Sequence, residues 1–147
     1  MSRSGSSRLW SVCLSLGGII GGGMGLYHFM LPYHMGWRGG LVGVADSLVW
    51  ALFALNFSWS LLVLLSGILV LYAARLGPAA GTFARRTVFT VGLFWAIHGA
   101  YTCLNPLPLP PSLSWLRYML GVFPLVVVTL HWLPLFATRA QSRPGER

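Results

Sequence analysis

The chain carries four histidines, His28, His34, His98 and His131, and only two acidic residues, Asp46 and Glu146. Imidazole is the side chain best suited to proton exchange, metal ligation or polar bonding inside an apolar environment. His28 and His98 interrupt hydrophobic stretches, where an unpartnered polar group is costly. Three chemistries are open to this pair. The first is interhelical hydrogen bonding of neutral imidazoles to Tyr, Asn or backbone oxygens. The second is ligation of haem b by two histidines on facing helices. The third is a proton-linked pocket or one that takes a small ligand such as a quinone. With so few carboxylates, no Asp/Glu pair for general acid–base work and no HExxH, neither hydrolysis nor a zinc or other metal site is expected. No carboxylate lies within a hydrophobic stretch, which argues against proton-coupled drug export.

Helical periodicity gathers these groups. At 100° per residue, Gly17, Gly21, Gly25 and His28 fall within about 80° of one another on the first stretch. Gly17, Gly21 and Gly25 follow the small-xxx-small pattern that lets helices approach closely in lipid, as do Gly18 and Gly22. On the third stretch Thr87, His98, Tyr101, Thr102 and Asn105 lie within about 100°. On the second, Asn56, Ser60 and Gly67 fall within about 40°. Helical rise places His28 about 6 Å, His98 about 10 Å and Asn56 about 13 Å below the same end of their stretches. Tyr27, His34, Tyr101 and Asp46 stand close to that end. These residues are expected to surround one hydrated pocket opening outward, with His28 and His98 as the candidate cofactor ligands and Tyr27, His34, Asn56 and Tyr101 as its lining. His131 lies too far toward the opposite end to join it.

The elements that must position these groups follow from composition. The 147 residues are 56% hydrophobic and 8% charged, with a mean hydropathy of +0.72. An ordinary soluble domain is about 25% charged, so this chain is too poor in charge to clothe a water-soluble fold of its size. Four apolar stretches, 9–31, 47–74, 87–104 and 115–137, are each long enough to cross a bilayer as a helix. They do not alternate in polarity, which excludes membrane strands. The expected fold is a single all-α membrane domain, a polytopic bundle of four transmembrane helices, with tails at 1–8 and 138–147. Pro32 is expected to close the first span, and Arg85 and Arg86 to lie in the loop before the third. Residues 105–112 contain four prolines. They are expected to form a stiff extended connector rather than a PxxP ligand.

All ten basic residues are arginines. They sit where hydrophobic stretches stop rather than on one face, which points away from nucleic acid. Arg3, Arg8, Arg75, Arg85, Arg86, Arg139, Arg143 and Arg147 fall on one side, and Arg38 and Arg117 on the other. The positive-inside rule then places both termini in the cytoplasm. The first stretch is longer than a signal-peptide core and is followed by no A-x-A-like site, so it is expected to remain as a span. Trp10, Trp37, Trp50, Trp115 and Trp132 fall near expected membrane interfaces, whereas Trp59 and Trp95 lie deeper. Cys13 and Cys103 are expected near opposite ends, too far apart for a disulfide.

The segment Gly25, Leu26, Tyr27, His28, Phe29, Met30, Leu31, Pro32, followed by Gly36, Trp37 and Arg38, resembles a pattern in small bacterial four-helix membrane proteins, the DoxX-like group. Phe94-Trp95 resembles a dipeptide of the same group. The resemblance implies a four-helix bundle in a bacterial inner membrane with His28 near the outer end of the first span, and carries no activity. The expected role is non-enzymatic: a small accessory or interaction subunit whose partners are membrane lipid, another membrane protein or a second copy. The alternative is a redox or ligand-binding bundle using His28 and His98.

Overall fold

A computed structural model describes residues 3–78, 81–107, 111 and 114–141. Arg143, Arg147, Glu146, and Pro108, Pro110 and Ser112 of the proline-rich connector lie outside the described residues. The described chain is all-α. Helix α1 spans Arg3–His34, the short α2 Trp37–Gly40, α3 Asp46–Leu76, α4 Gly81–Leu104 and α5 Ser114–Gln141. The four long helices are each apolar enough to cross a bilayer, and the chain is a multi-pass membrane protein.

The boundaries differ from the expected ones for local reasons. Helix α1 does not stop at Pro32 but runs on to His34; it ends where Gly36 adopts φ 59°, a conformation natural to glycine. Arg85 and Arg86 are not in a loop. The chain turns at Gly77 and Gly81, with φ 74° and 75°, and α4 begins immediately afterwards. Arginine is a good helix former, so the helix continues past the hydrocarbon rather than ending with it. At the other terminus α5 runs beyond residue 137, and Thr138 is buried and donates to the carbonyls of Pro134 and Leu135 at 3.0 and 3.1 Å. The 32 residues of α1 and 31 of α3 span about 48 and 46 Å, more than a ~30 Å hydrocarbon layer, so both helices tilt or protrude.

Around the bundle the order is α1, α3, α4, α5. The most extensive seam joins α1 to α3, followed by α4 to α5 and α1 to α5, and the α3–α4 seam is the slightest. Apolar burial does not drive helix association in lipid, where tails are as apolar as leucine; close packing and interhelical bonds do. Close approaches come from Gly25 of α1, where a Cβ would lie 2.5 Å from N of Leu64, and from Gly67 of α3. A Cβ built on it would lie 2.6 Å from both Cα and N of Gly22, and 2.8 Å from the carbonyl oxygen of Gly18.

The core is displaced toward one end. We call this the arginine end, because Arg8, Arg75, Arg85 and Arg86 stand there, and the other the histidine end, for His28, His34 and His98. Leu14, Val70, Ala73, Ala84, Val88, Val127 and Leu135 are buried in the arginine half. Trp10, expected at an interface, is fully enclosed instead: its Nε1 donates to the carbonyl of Ala73 at 3.1 Å, and Ser11 beside it donates to Ala74 at 3.4 Å. These bonds cross-link α1 and α3 where the side chains between them are small. Trp95 caps the core at mid-depth, its ring edge-on to Phe94, His98 and Phe123. Cys13 is buried and Cys103 exposed, and both are free thiols.

Candidate functional site

The six residues expected to share one mouth occupy two seams. On the α1–α3 side, Tyr27 lies T-shaped to His28 with ring centroids 6.3 Å apart, and 5.9 Å from His34. Tyr27 and His34 are exposed and His28 is half-buried. Asn56 of α3 reaches into this seam: its amide stands against the His28 imidazole, and Nδ2 donates to the carbonyl oxygen of His28 at 2.8 Å. The reason is local. In an α-helix that oxygen would receive the N–H of residue 32, and proline has none. Asn56 supplies the missing donor from the neighbouring helix, which allows α1 to run through Pro32. Ser60, one turn along α3, is fully buried and donates to the carbonyl of Asn56 at 2.6 Å.

On the α3–α4 side, His98 is half-buried with its ring 5.3 Å from that of Trp59 and 5.7 Å from that of Trp95. Trp59, Phe94, Ile97, His98 and Tyr101 line a groove of about 450 Å³. The weak contact between α3 and α4 leaves it open. Its walls are almost wholly apolar, and His98 and Tyr101 bring the polar atoms. Thr102 and Asn105, which share the polar face of α4, bond back to the carbonyls of His98 and Tyr101 at 2.9 and 3.3 Å.

Haem b would need His28 and His98 to face one iron. Helices α1 and α4 stand diagonally across the bundle, the groove that His98 lines does not include His28, and the rings of Trp59 and Trp95 flank His98. Among the described residues, no three of His, Cys, Asp and Glu converge to hold a metal ion.

The glycines expected to form one packing stripe meet three different helices. A Cβ on Gly25 would strike the backbone of Leu64 on α3, one on Gly21 would rest 3.6 Å from Nε1 of Trp95 on α4, and one on Gly17 would lie 2.9 Å from Cε1 of His131 on α5. The third contact reveals a residue that sequence reasoning set aside. His131 is 1% exposed; Nδ1 stands 2.6 Å from the carbonyl of Val127, which can only accept, so Nδ1 carries the proton. Nε2 is buried with no hydrogen-bond partner among the described residues. The absence of a side chain at Gly17 is what makes room for this imidazole. A histidine opposite a glycine on another helix leaves no periodic signal in either helix alone.

Two further cavities flank the start of α4, at the arginine end. One of about 720 Å³ lies toward α5, between Arg85, Arg86, Phe89 and Phe136; the other, about 460 Å³, lies toward α3, beside Leu69, Phe83 and Arg86. No known protein-family model, curated protein or solved structure matches the chain.

Proposed function

We propose that the chain is a small, non-enzymatic subunit of a bacterial inner membrane, with both termini cytoplasmic, that acts by associating with another membrane protein or with a second copy of itself. The observation that carries this proposal is the outer surface of α3. Leu48, Leu55, Leu62, Leu69 and Leu76 recur every seven residues, and all five are exposed, Leu55 at 67%. Between them the next heptad position holds Ala51, Ser58, Leu65 and Tyr72. A seven-residue apolar repeat is the period at which two helices stay in register along a left-handed crossing. Small residues beside the leucines let a second helix come close. The polar side chains within the bundle support the same role, because Trp10, Asn56, Ser60, Thr102 and Thr138 bond to backbone carbonyls. The DoxX-like pattern and the arginine distribution support the membrane setting and orientation.

Photo-crosslinking in native membranes tests the proposal. A benzoylphenylalanine at Leu55 or Leu62 should give one discrete protein adduct, and the same group at Ile97 on α4 should not. Adducts that are absent, or the same at all three positions, would refute it. A second role is favoured by the His98 groove, whose size and apolar walls suit a flat ligand such as a quinone. Native mass spectrometry that finds a quinone retained by the wild type and lost in His98→Ala would establish that role in place of the first.

A further inference from the structure

We propose that the first turns of α4 form a binding site for an anionic diacyl phospholipid, with its phosphate on Arg85 and Arg86 and one acyl chain in each flanking groove; of the leucine ridge proposed for a partner on α3, the site shares Leu69. The geometry starts from a ridge. Thr82, Arg86 and Thr90 are spaced at four-residue intervals and therefore stand in one row along α4. All three line both cavities, so the row is the wall between them. On the α5 side the groove is floored by Phe89, Leu135 and Phe136, with Arg85 at its edge. On the α3 side the second groove is floored by Leu69, Phe83 and Val91. Two apolar grooves on either side of one cationic ridge match the shape of a lipid with two chains and one charged head.

Among the described residues no carboxylate stands at this end. Asp46, the only acidic residue among the described residues, opens α3 at the histidine end, whereas Arg85 and Arg86 stand beside the C-terminus of α3. Arg85 is half-buried and Arg86 exposed, and both stand near the arginine end of the apolar helix α4. Guanidinium binds phosphate oxygens through paired N–H donors. The Thr82 hydroxyl, on the same ridge and lining both grooves, adds a further donor. Basic pockets between transmembrane helices on the cytoplasmic side are a recurring way to hold acidic lipids. A free phosphate would use the ridge alone and leave both grooves empty, which favours a lipid as the occupant.

The test is native mass spectrometry of the full-length protein from detergent, titrated with phosphatidylglycerol or with phosphatidylcholine of the same chains. The wild type should retain phosphatidylglycerol about tenfold or more over phosphatidylcholine, the order expected when two arginines act on one headgroup. Arg85→Gln/Arg86→Gln should abolish the preference, Arg85→Lys/Arg86→Lys should keep most of it, and Arg38→Gln/Arg117→Gln, at the other end, should leave it intact. Circular dichroism of each variant separates loss of binding from loss of fold, and the wild-type comparison needs no variant. Equal retention of the two lipids by the wild type would overturn the proposal. So would equal loss in both glutamine pairs, or displacement of phosphatidylglycerol by inorganic phosphate.

Discussion

The two halves of the bundle are built differently from similar residues. In the arginine half, small side chains on α1, α3 and α4 let helices close on one another, and Trp10 and Leu14 fill what remains. In the histidine half, Tyr27, Tyr33, Trp50, Phe57, Tyr101, Trp115 and Tyr118 are all exposed. Both halves contain tryptophan, serine and valine, so composition does not account for the contrast. What differs is helix approach. Gly67 against Gly18 and Gly22, and Gly25 against Leu64, bring α1 and α3 into backbone contact through their middle, while α3 and α4 separate beside His98. The polar groups that invited a functional assignment therefore lie where packing is loosest, and the groups that hold the fold lie where the sequence is least distinctive.

Tryptophan offers the sharpest way to break this comparison, because one residue type samples both halves. Trp10→Ala should lower stability by about 4 kcal/mol, from the cavity and the lost bond to Ala73. Trp50→Ala should change it by no more than about 0.5 kcal/mol, since Trp50 is 74% exposed. Unfolding in a denaturing detergent series measures both, and similar losses at the two sites would dissolve the distinction between the halves. A smaller effect is expected from Gly67→Ala. The added methyl meets the backbone of Gly22, which cannot turn aside, so α1 and α3 must separate at a cost of about 2 kcal/mol. Gly23→Ala on α1, with nothing within 4 Å of its Cβ position, should be tolerated; equal losses at Gly67 and Gly23 would show that the α1–α3 contact is not the tight one.

The spans were legible in the sequence because partition between water and lipid belongs to residue type. Residues 47–74 differ from α3 by one residue at the start and two at the end. The helix partners were not legible, because a helical wheel gives a side chain's direction on its own helix and not which neighbour stands there. Gly17, Gly21 and Gly25 share a broad face of α1, yet that face meets α5, α4 and α3 in turn. The candidate pocket shows the same: the neighbours of His28 and His98, Asn56 for the first and Trp59 for the second, both come from α3, which neither wheel could name. Arg85 and Arg86 read as loop residues because charge ends a hydrophobic stretch, but a helix ends with its backbone, and here the turn is made by the glycines at 77 and 81.

Pro32 is the residue where local chemistry and tertiary structure disagree most directly, and it supplies the finest test. A proline lacks the donor that the carbonyl of His28 requires, which is why it reads as a stop. The helix continues because Asn56, distant in sequence, donates to that oxygen at 2.8 Å. Asn56→Leu keeps the side chain's bulk and removes the donor, and should cost about 0.6 kcal/mol, the usual worth of a polar bond between helices in lipid. In a Pro32→Ala background the restored N–H of residue 32 serves the same oxygen from within α1, and Asn56→Leu should then cost almost nothing. The difference between the two backgrounds isolates the bond from every other effect of either substitution. An unchanged cost would mean that Asn56 stabilises the bundle through some other contact, and that α1 passes Pro32 without help from α3.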